Sequence, residues 1–203
     1  MLKTIQESAN LLNQGQILAY NTDTCLGIGH AINSNSGFNR LYEVKKMPFN
    51  KPCSVLVNSL EMLADNAILN EFSLKLAQLL LPGPYTLILP RSKKLNPQFL
   101  TDFKNIGFRY IPDPKINSLI KLLACPITTT SANIHTQPSA ESYSDIINTF
   151  GDQINIFENI NKNQHYPTTP STIIEPQEDN TLKIIRAGVG YSELSKLGYK
   201  IAK

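Results

Sequence analysis

Cysteine, arginine and long apolar runs are all scarce in this chain, and the first and last of these each remove a class of protein. Among 203 residues only Cys25, Cys53 and Cys125 are cysteine, an odd number set far apart. That excludes a disulfide scaffold and offers no zinc spacing. No stretch approaches the roughly 18 apolar residues that a membrane span needs. The most apolar one, residues 77–82, is interrupted by Gln78 and runs into Pro82-Gly83-Pro84. The opening residues, Met1-Leu2-Lys3-Thr4-Ile5, lack the basic-then-apolar layout of a secretion leader, so a soluble, cytoplasmic protein with no membrane partner is expected. Charge is modest, with 19 basic against 16 acidic residues. A non-specific nucleic-acid binder usually carries a denser basic stripe, and the aromatic-rich stripe that stacks exposed bases is missing as well.

Familiar catalytic signatures are largely missing from the sequence. The phosphate-binding pattern Gly-x-x-x-x-Gly-Lys-Ser/Thr is absent, as is the Gly-x-Ser-x-Gly nucleophile elbow, which argues against a P-loop and an esterase-type serine. Gly27-Ile28-Gly29 follows a strand-like stretch, but a third dinucleotide-fingerprint glycine would fall at Ile32. Strand glycines serving close backbone approach explain it better. His30, His135 and His165 show no ligand spacing, and the cysteines read as small apolar fillers.

Apolar runs and helical periods alternate along the whole chain. Helices are expected near residues 5–12, 38–47, 60–65, 71–81, 116–123, 140–150 and 191–197. Strands are expected at 16–20, 27–32, 54–57, 85–89, 107–111, 126–130, 154–157, 171–174 and 182–186. An Asn/Thr/Pro-rich loop fills 159–170. With no long central linker and no internal repeat, the reading is one α/β domain over residues 1–203 with a twisted mixed sheet.

Polar clusters sit at the strand ends, where an open α/β sheet forms its ligand crevice. They are Thr22-Asp23-Thr24, Lys45-Lys46 with Lys51, Arg109, Thr129-Thr130-Ser131-Ala132-Asn133, Ser139, Ser171-Thr172 and Arg186. Hydroxyls and amides beside cations suit an anionic ligand rich in acceptor oxygens. The same threonines and serines are also ordinary turn and helix caps.

In this order and separation, the clusters resemble the YrdC (TsaC) family of threonylcarbamoyl-adenylate synthases, over about residues 5–190. The resemblance rests on Asn21-Thr22-Asp23-Thr24-Cys25-Leu26-Gly27-Ile28-Gly29, Lys45-Lys46-Met47-Pro48, Pro82-Gly83-Pro84-Tyr85-Thr86, Gly107-Phe108-Arg109, Thr130-Ser131-Ala132-Asn133, Pro138-Ser139, Pro170-Ser171-Thr172 and Ile185-Arg186-Ala187-Gly188. It implies a YrdC-like fold: helices flanking a twisted sheet of mixed parallel and antiparallel strands with a concave basic ligand hollow, in the short form without a further C-terminal domain. The implied reaction joins L-threonine, bicarbonate and ATP into threonylcarbamoyl-AMP and pyrophosphate. The product feeds threonylcarbamoyladenosine modification of tRNA next to the anticodon through partner proteins, with possible tRNA contact.

By the same resemblance, Thr24, Arg109, Thr129 and Ser171 would hold threonine, and Lys51, Ser131, Ser139 and Arg186 would hold ATP. Lys45, Ser131 and Asn133 would serve catalysis near the phosphates. Mg2+ is expected with the phosphates, its ligands unassigned. The chain departs from the pattern at Met47, where the family has arginine; the resemblance implies that Met47→Arg would return a cation to the phosphate end and raise turnover. Asn21, Leu26 and His135-Thr136 are further departures. Two alternatives stand beside the synthase: a YrdC-like paralog that binds or hydrolyses a nucleotide or carbamoyl-adenylate, and a double-stranded RNA or tRNA-binding module.

Overall fold

The structure, a computed structural model, describes residues 1–95 and 97–202. In chain order its elements are β1 (Leu2–Lys3), α1 (Ile5–Asn13), β2 (Leu18–Tyr20), β3 (Gly27–Gly29), α2 (Asn35–Lys45), β4 (Ser54–Val57), α3 (Leu60–Asn66), α4 (Glu71–Leu80) and β5 (Tyr85–Pro90). The chain continues through β6 (Asn105–Tyr110), α5 (Pro114–Leu123), β7 (Ile127–Ser131), α6 (Tyr143–Phe150), β8 (Asn155–Phe157), β9 (Thr172–Pro176), β10 (Leu182–Arg186) and α7 (Tyr191–Lys196).

Local chemistry sets most helix starts. Thr4 and Glu7 form a reciprocal capping box on α1, and Asn70 with Ser73 does the same on α4. Side chains of Ser34, Ser59, Asp113 and Ser142 accept the free amides that open α2, α3, α5 and α6. Each such bond satisfies a donor that the first helical turn leaves without a partner. The cap at Ser142 starts α6 at Tyr143, three residues later than the apolar spacing from residue 140 suggests. At the other end of α2, Lys46 adopts the left-handed conformation, with φ 52°, and turns the chain before Pro48.

The described strands form one ten-stranded sheet in the order β1-β8-β2-β3-β7-β4-β6-β5-β9-β10. Pairing is mixed: β1 with β8, β2 with β8, β4 with β6 and β5 with β9 are parallel, and the remaining neighbours are antiparallel. This is the mixed α/β sheet the alternation of patterns implies. Among the described residues no helix is long and apolar enough to cross a membrane.

Period-two alternation decides which strand side chains share a face. Val55 and Val57 on β4, and Ile106 and Phe108 on β6, enter an apolar cluster with Leu63, Leu76 and Leu80 of α3 and α4. Leu56, Leu18, Tyr20 and Ile127 instead share a cluster with Leu12 of α1 and Leu119 of α5. Successive strand residues face opposite sides, so Ser54, Gly107, Arg109, Thr129 and Ser131 lie on the same side as Leu56 and Ile127. Helices α1 and α5 cover the apolar end of that side; its polar end forms a hollow.

Two glycines keep the sheet this tight. A Cβ on Gly29 would come within 1.8 Å of the Thr128 carbonyl oxygen, and one on Gly107 within 2.7 Å of Ser54 Oγ and 2.8 Å of Thr86 Cγ2. The Gly-x-Gly of β3 is therefore a packing feature, as its sequence context suggests.

Candidate active site

The polar end of that face closes around a cavity of about 210 Å³. Thr22, Thr24, Cys25 and Gly27 come from the β2–β3 turn and β3, Lys51 from the approach to β4, Ser54 from the start of β4, and Thr86 from β5. Arg109 belongs to β6, Thr129 to Ser131 to β7, and Ser171, Ile173 and Arg186 to the β9–β10 end. Sequence motifs from six separate stretches thus meet in one place. Of the residues the resemblance singles out, Thr24, Arg109, Thr129, Ser171, Lys51, Ser131 and Arg186 line this cavity; Lys45, Asn133 and Ser139 do not.

Each wall is held by its own bonds. The Thr22 hydroxyl donates to the Cys25 carbonyl at 2.6 Å and accepts from the Thr24 amide at 3.1 Å, which closes the 22–25 turn. The start of that turn is fixed by Asn159, whose side chain bonds both the amide and the carbonyl of Asn21 and also reaches Asp113. Across the cavity, Ser171 Oγ lies 2.8 Å from Thr86 Oγ1, and Arg186 donates Nε and Nη2 to the Ser171 carbonyl at 3.1 and 2.9 Å. Arg186 therefore braces the segment carrying Ser171 and keeps further donors for a ligand.

Lys45 lies behind the wall. It is 2% exposed, and its ammonium donates to the carbonyls of Ser131 and Asn133 and to Asn133 Oδ1, the last two at 2.8 and 3.2 Å. Those bonds use all three of its donors. Burial pushes its pKa down to about 8. Asn133 in turn accepts from Ser131 Oγ at 2.6 Å and donates to the carbonyls of Ile134 and Gln137. In this arrangement Lys45 and Asn133 hold Ser131 rather than reach into the cavity.

Met47, at the family's arginine position, is 8% exposed and packs with Ile17, Leu26, Leu41 and Tyr42. Lys46 beside it is exposed. The Met47 side chain belongs to the apolar layer, so the expectation that Met47→Arg simply returns a cation to the phosphate end does not follow from its surroundings.

Neither motif nor spacing assigns a role to Asp23, Thr22, Ser54 or Thr86. Asp23 forms a largely buried ion pair with Arg109, their side chains 13% and 8% exposed. Desolvation raises the Asp23 pKa, against the pull of the Arg109 charge. Thr22 and Asp23 are visible in the sequence as part of a polar cluster, and Thr86 closes the Pro82-Gly83-Pro84-Tyr85-Thr86 motif; Ser54 carries no signal beyond its position in a strand.

Among the cavity's lining residues Lys51, Arg109 and Arg186 are cationic and none is a carboxylate. Among the described residues no group of three or more His, Cys, Asp or Glu is arranged for a metal ion. The donor set does not fit a protein-held Mg2+, which ordinarily takes one or two carboxylates besides phosphates. It suits a ligand whose anionic oxygens meet cations and hydroxyls.

A mixed sheet with an anion-receptive, hydroxyl-lined hollow defines the class; the comparisons narrow it. The profile of the Sua5/YciO/YrdC family, described as "Telomere recombination", matches residues 10–188, and the chain belongs to that family. A putative threonylcarbamoyl-AMP synthase of Methanocaldococcus jannaschii is 32% identical over 175 residues, covering 86% of this chain and 81% of its own. The threonylcarbamoyl-AMP synthase of Aliivibrio fischeri is 27% identical over 90% of this chain and 99% of its own. Among solved structures, P. abyssi Sua5 complexed with L-threonine superimposes with a TM-score of 0.84 at 27% identity. That match covers 98% of this chain but 58% of the P. abyssi chain. E. coli YciO shares the fold, with a TM-score of 0.79 at 21% identity over 91% of this chain and 89% of its own.

Proposed function

We infer that this chain is a threonylcarbamoyl-AMP synthase, a nucleotidyltransferase that joins L-threonine, bicarbonate and ATP. The observation that carries the reading is the convergence of Thr24, Lys51, Arg109, Thr129, Ser131, Ser171 and Arg186 on one cavity, in a chain whose relatives bear that name. The cavity is smaller than the roughly 300–1,000 Å³ of ordinary drug-sized sites. It therefore encloses an amino acid, while the nucleotide extends outward past Ser131, Lys51 and Arg186.

Threonine sits with its carboxylate toward Arg109 and its hydroxyl and amine among Thr24, Thr129 and Ser171. Its uncharged amine captures carbon dioxide drawn from bicarbonate, giving a carbamate. The carbamate oxygen attacks the α-phosphorus of ATP in line, the bond to the bridging oxygen breaks, and pyrophosphate leaves. Lys51 and Arg186 neutralise charge developing on the phosphate oxygens, and Ser131 lies beside them in the cavity wall. Lys45 and Asn133 fix Ser131 in place. Catalysis of this kind rests on positioning and fixed charge more than on proton transfer. Any Mg2+ arrives on the phosphates of ATP. A cytoplasmic enzyme handing its product to tRNA-modifying partner proteins completes the reading.

The test is pyrophosphate release by the purified chain with ATP, Mg2+ and bicarbonate, with and without threonine. Release that requires threonine is expected. Threonine-independent phosphate release would instead identify a hydrolase of the same fold.

A further inference from the structure

The Asp23–Arg109 pair is the most deeply buried ion pair among the described residues, and only half of it is closed. Arg109 Nη2 donates to Asp23 Oδ1, while Arg109 Nε and Asp23 Oδ2 are both buried and lack partners. A guanidinium has two flat edges that can each grip two oxygens: a side edge, Nε with Nη2, and an end edge, Nη1 with Nη2. A full fork-to-fork contact along the side edge would also join Arg109 Nε to Asp23 Oδ2, but only the Nη2–Oδ1 bond is made, so the carboxylate holds the guanidinium by one corner. Arg109 also lines the cavity, whereas Asp23 does not. Asp23 thus lies outside the lining and holds the guanidinium from beyond it.

We propose that Asp23 is a positioning residue for threonine recognition: its bond to Arg109 Nη2 fixes the guanidinium and thereby aims its remaining donors at the substrate carboxylate. The proposal rests on the synthase reading above. The turn that carries Asp23 is closed by the Thr22 hydroxyl and tied to Asn159, so its carboxylate is held by a rigid backbone. A lone arginine retains several rotamers, and ordering it at the moment of binding weakens affinity. A fixed carboxylate removes that penalty and offsets the cost of burying the guanidinium.

The experiment compares wild type, Asp23→Asn, Arg109→Lys and the double variant, reading KM and kcat for threonine and for ATP and the urea midpoint. Calorimetry with threonine and with threoninol, which lacks the carboxylate, is run alongside. Asp23→Asn should raise the threonine KM on the order of tenfold to a hundredfold and change the ATP KM less than about twofold. It should also erase the wild-type preference for threonine over threoninol. In the Arg109→Lys background, which has no guanidinium to orient, Asp23→Asn should cost little more. If Asp23→Asn lowers the midpoint enough to blur the kinetics, Asp23→Glu keeps the charge and should restore the preference at least in part. Equal losses toward threonine and ATP, additive effects in the double variant, or an unchanged threonine preference would overturn the proposal while leaving the synthase reading intact. Absence of threonine-dependent turnover in the wild type would overturn both.

Discussion

His30 is 0% exposed. Its Nδ1 lies 2.8 Å from the Ala31 carbonyl oxygen, its Nε2 has no partner, and Phe38 and Phe99 approach its ring edge-on. The Nδ1 contact fixes the neutral tautomer with the proton on that nitrogen. Burial pushes its pKa down from 6.5 to about 4. A histidine depressed in the folded state binds fewer protons there than in the unfolded chain between those two values. Its contribution is thus fully present above about pH 6.5, declines as pH falls, and is exhausted below about pH 4. The shift corresponds to about 3 kcal/mol. Urea unfolding at a series of pH values should show this decline, and the His30 ring should titrate near 4 by NMR; titration near 6.5 would refute the assignment. Met47 makes a related point. An arginine there would set a guanidinium among Ile17, Leu26 and Leu41, so Met47→Arg should lose about 2 kcal/mol or more of stability. A variant of undiminished midpoint and higher turnover would mean that the side chain escapes toward the nucleotide.

At the scale of elements, the site depends on the short stretch after β7. Ser131 and Asn133 are gathered by one ammonium; removing it leaves the Asn133 carbonyl without that donor, whereas the Ser131 carbonyl keeps the Asn133 amide at 3.0 Å and Asn133 Oδ1 keeps the Ser131 hydroxyl. Lys45→Met keeps the side chain's bulk and should cost about 1–3 kcal/mol, the range for one acceptor left unsatisfied. It should also weaken ATP more than threonine. Undiminished stability would show that these bonds to Ser131 and Asn133 contribute nothing net. The elements themselves are largely legible in the sequence, because apolar periods of 2 and 3.6 are local. Strand β1 is not, since Leu2–Lys3 is too short to show a period and forms only because β8 lies beside it. The polar clusters of the site are legible for the same local reason, as runs of hydroxyls at strand ends. Depth is what a linear pattern hides. Lys45 and Lys51 look alike on the page, yet one is sealed behind Ser131 and the other lines the cavity. Asp23 stands inside a visible cluster, but its partner, Arg109, is 86 residues away, and no local pattern announces such a pair.

The whole molecule carries only a small net positive charge, 19 basic against 16 acidic residues, but places Lys51, Arg109 and Arg186 around one cavity free of carboxylates. Binding is therefore expected to depend on a specific pocket rather than on an overall field. Ligands that bind only the folded state stabilise it in proportion to occupancy, by about 2.7 kcal/mol at a hundredfold excess over Kd. For a chain of this size that is a rise in Tm of roughly 5–10 °C. Threonine shut inside the cavity and ATP lying across its mouth would each screen the other's charges and exclude its water. The two together should then raise Tm by more than the sum of their separate effects, with threoninol giving no such excess. An RNA-binding module predicts a different outcome: no gain from threonine, and affinity for duplex RNA that falls steeply with salt as counterions compete for phosphate contacts. Scanning thermal unfolding with threonine, ATP, both, or an RNA duplex at two salt concentrations separates the readings. A simple sum for threonine and ATP would mean that their sites do not touch, and the cavity bounded by Arg109 and Ser131 would then hold only one of them.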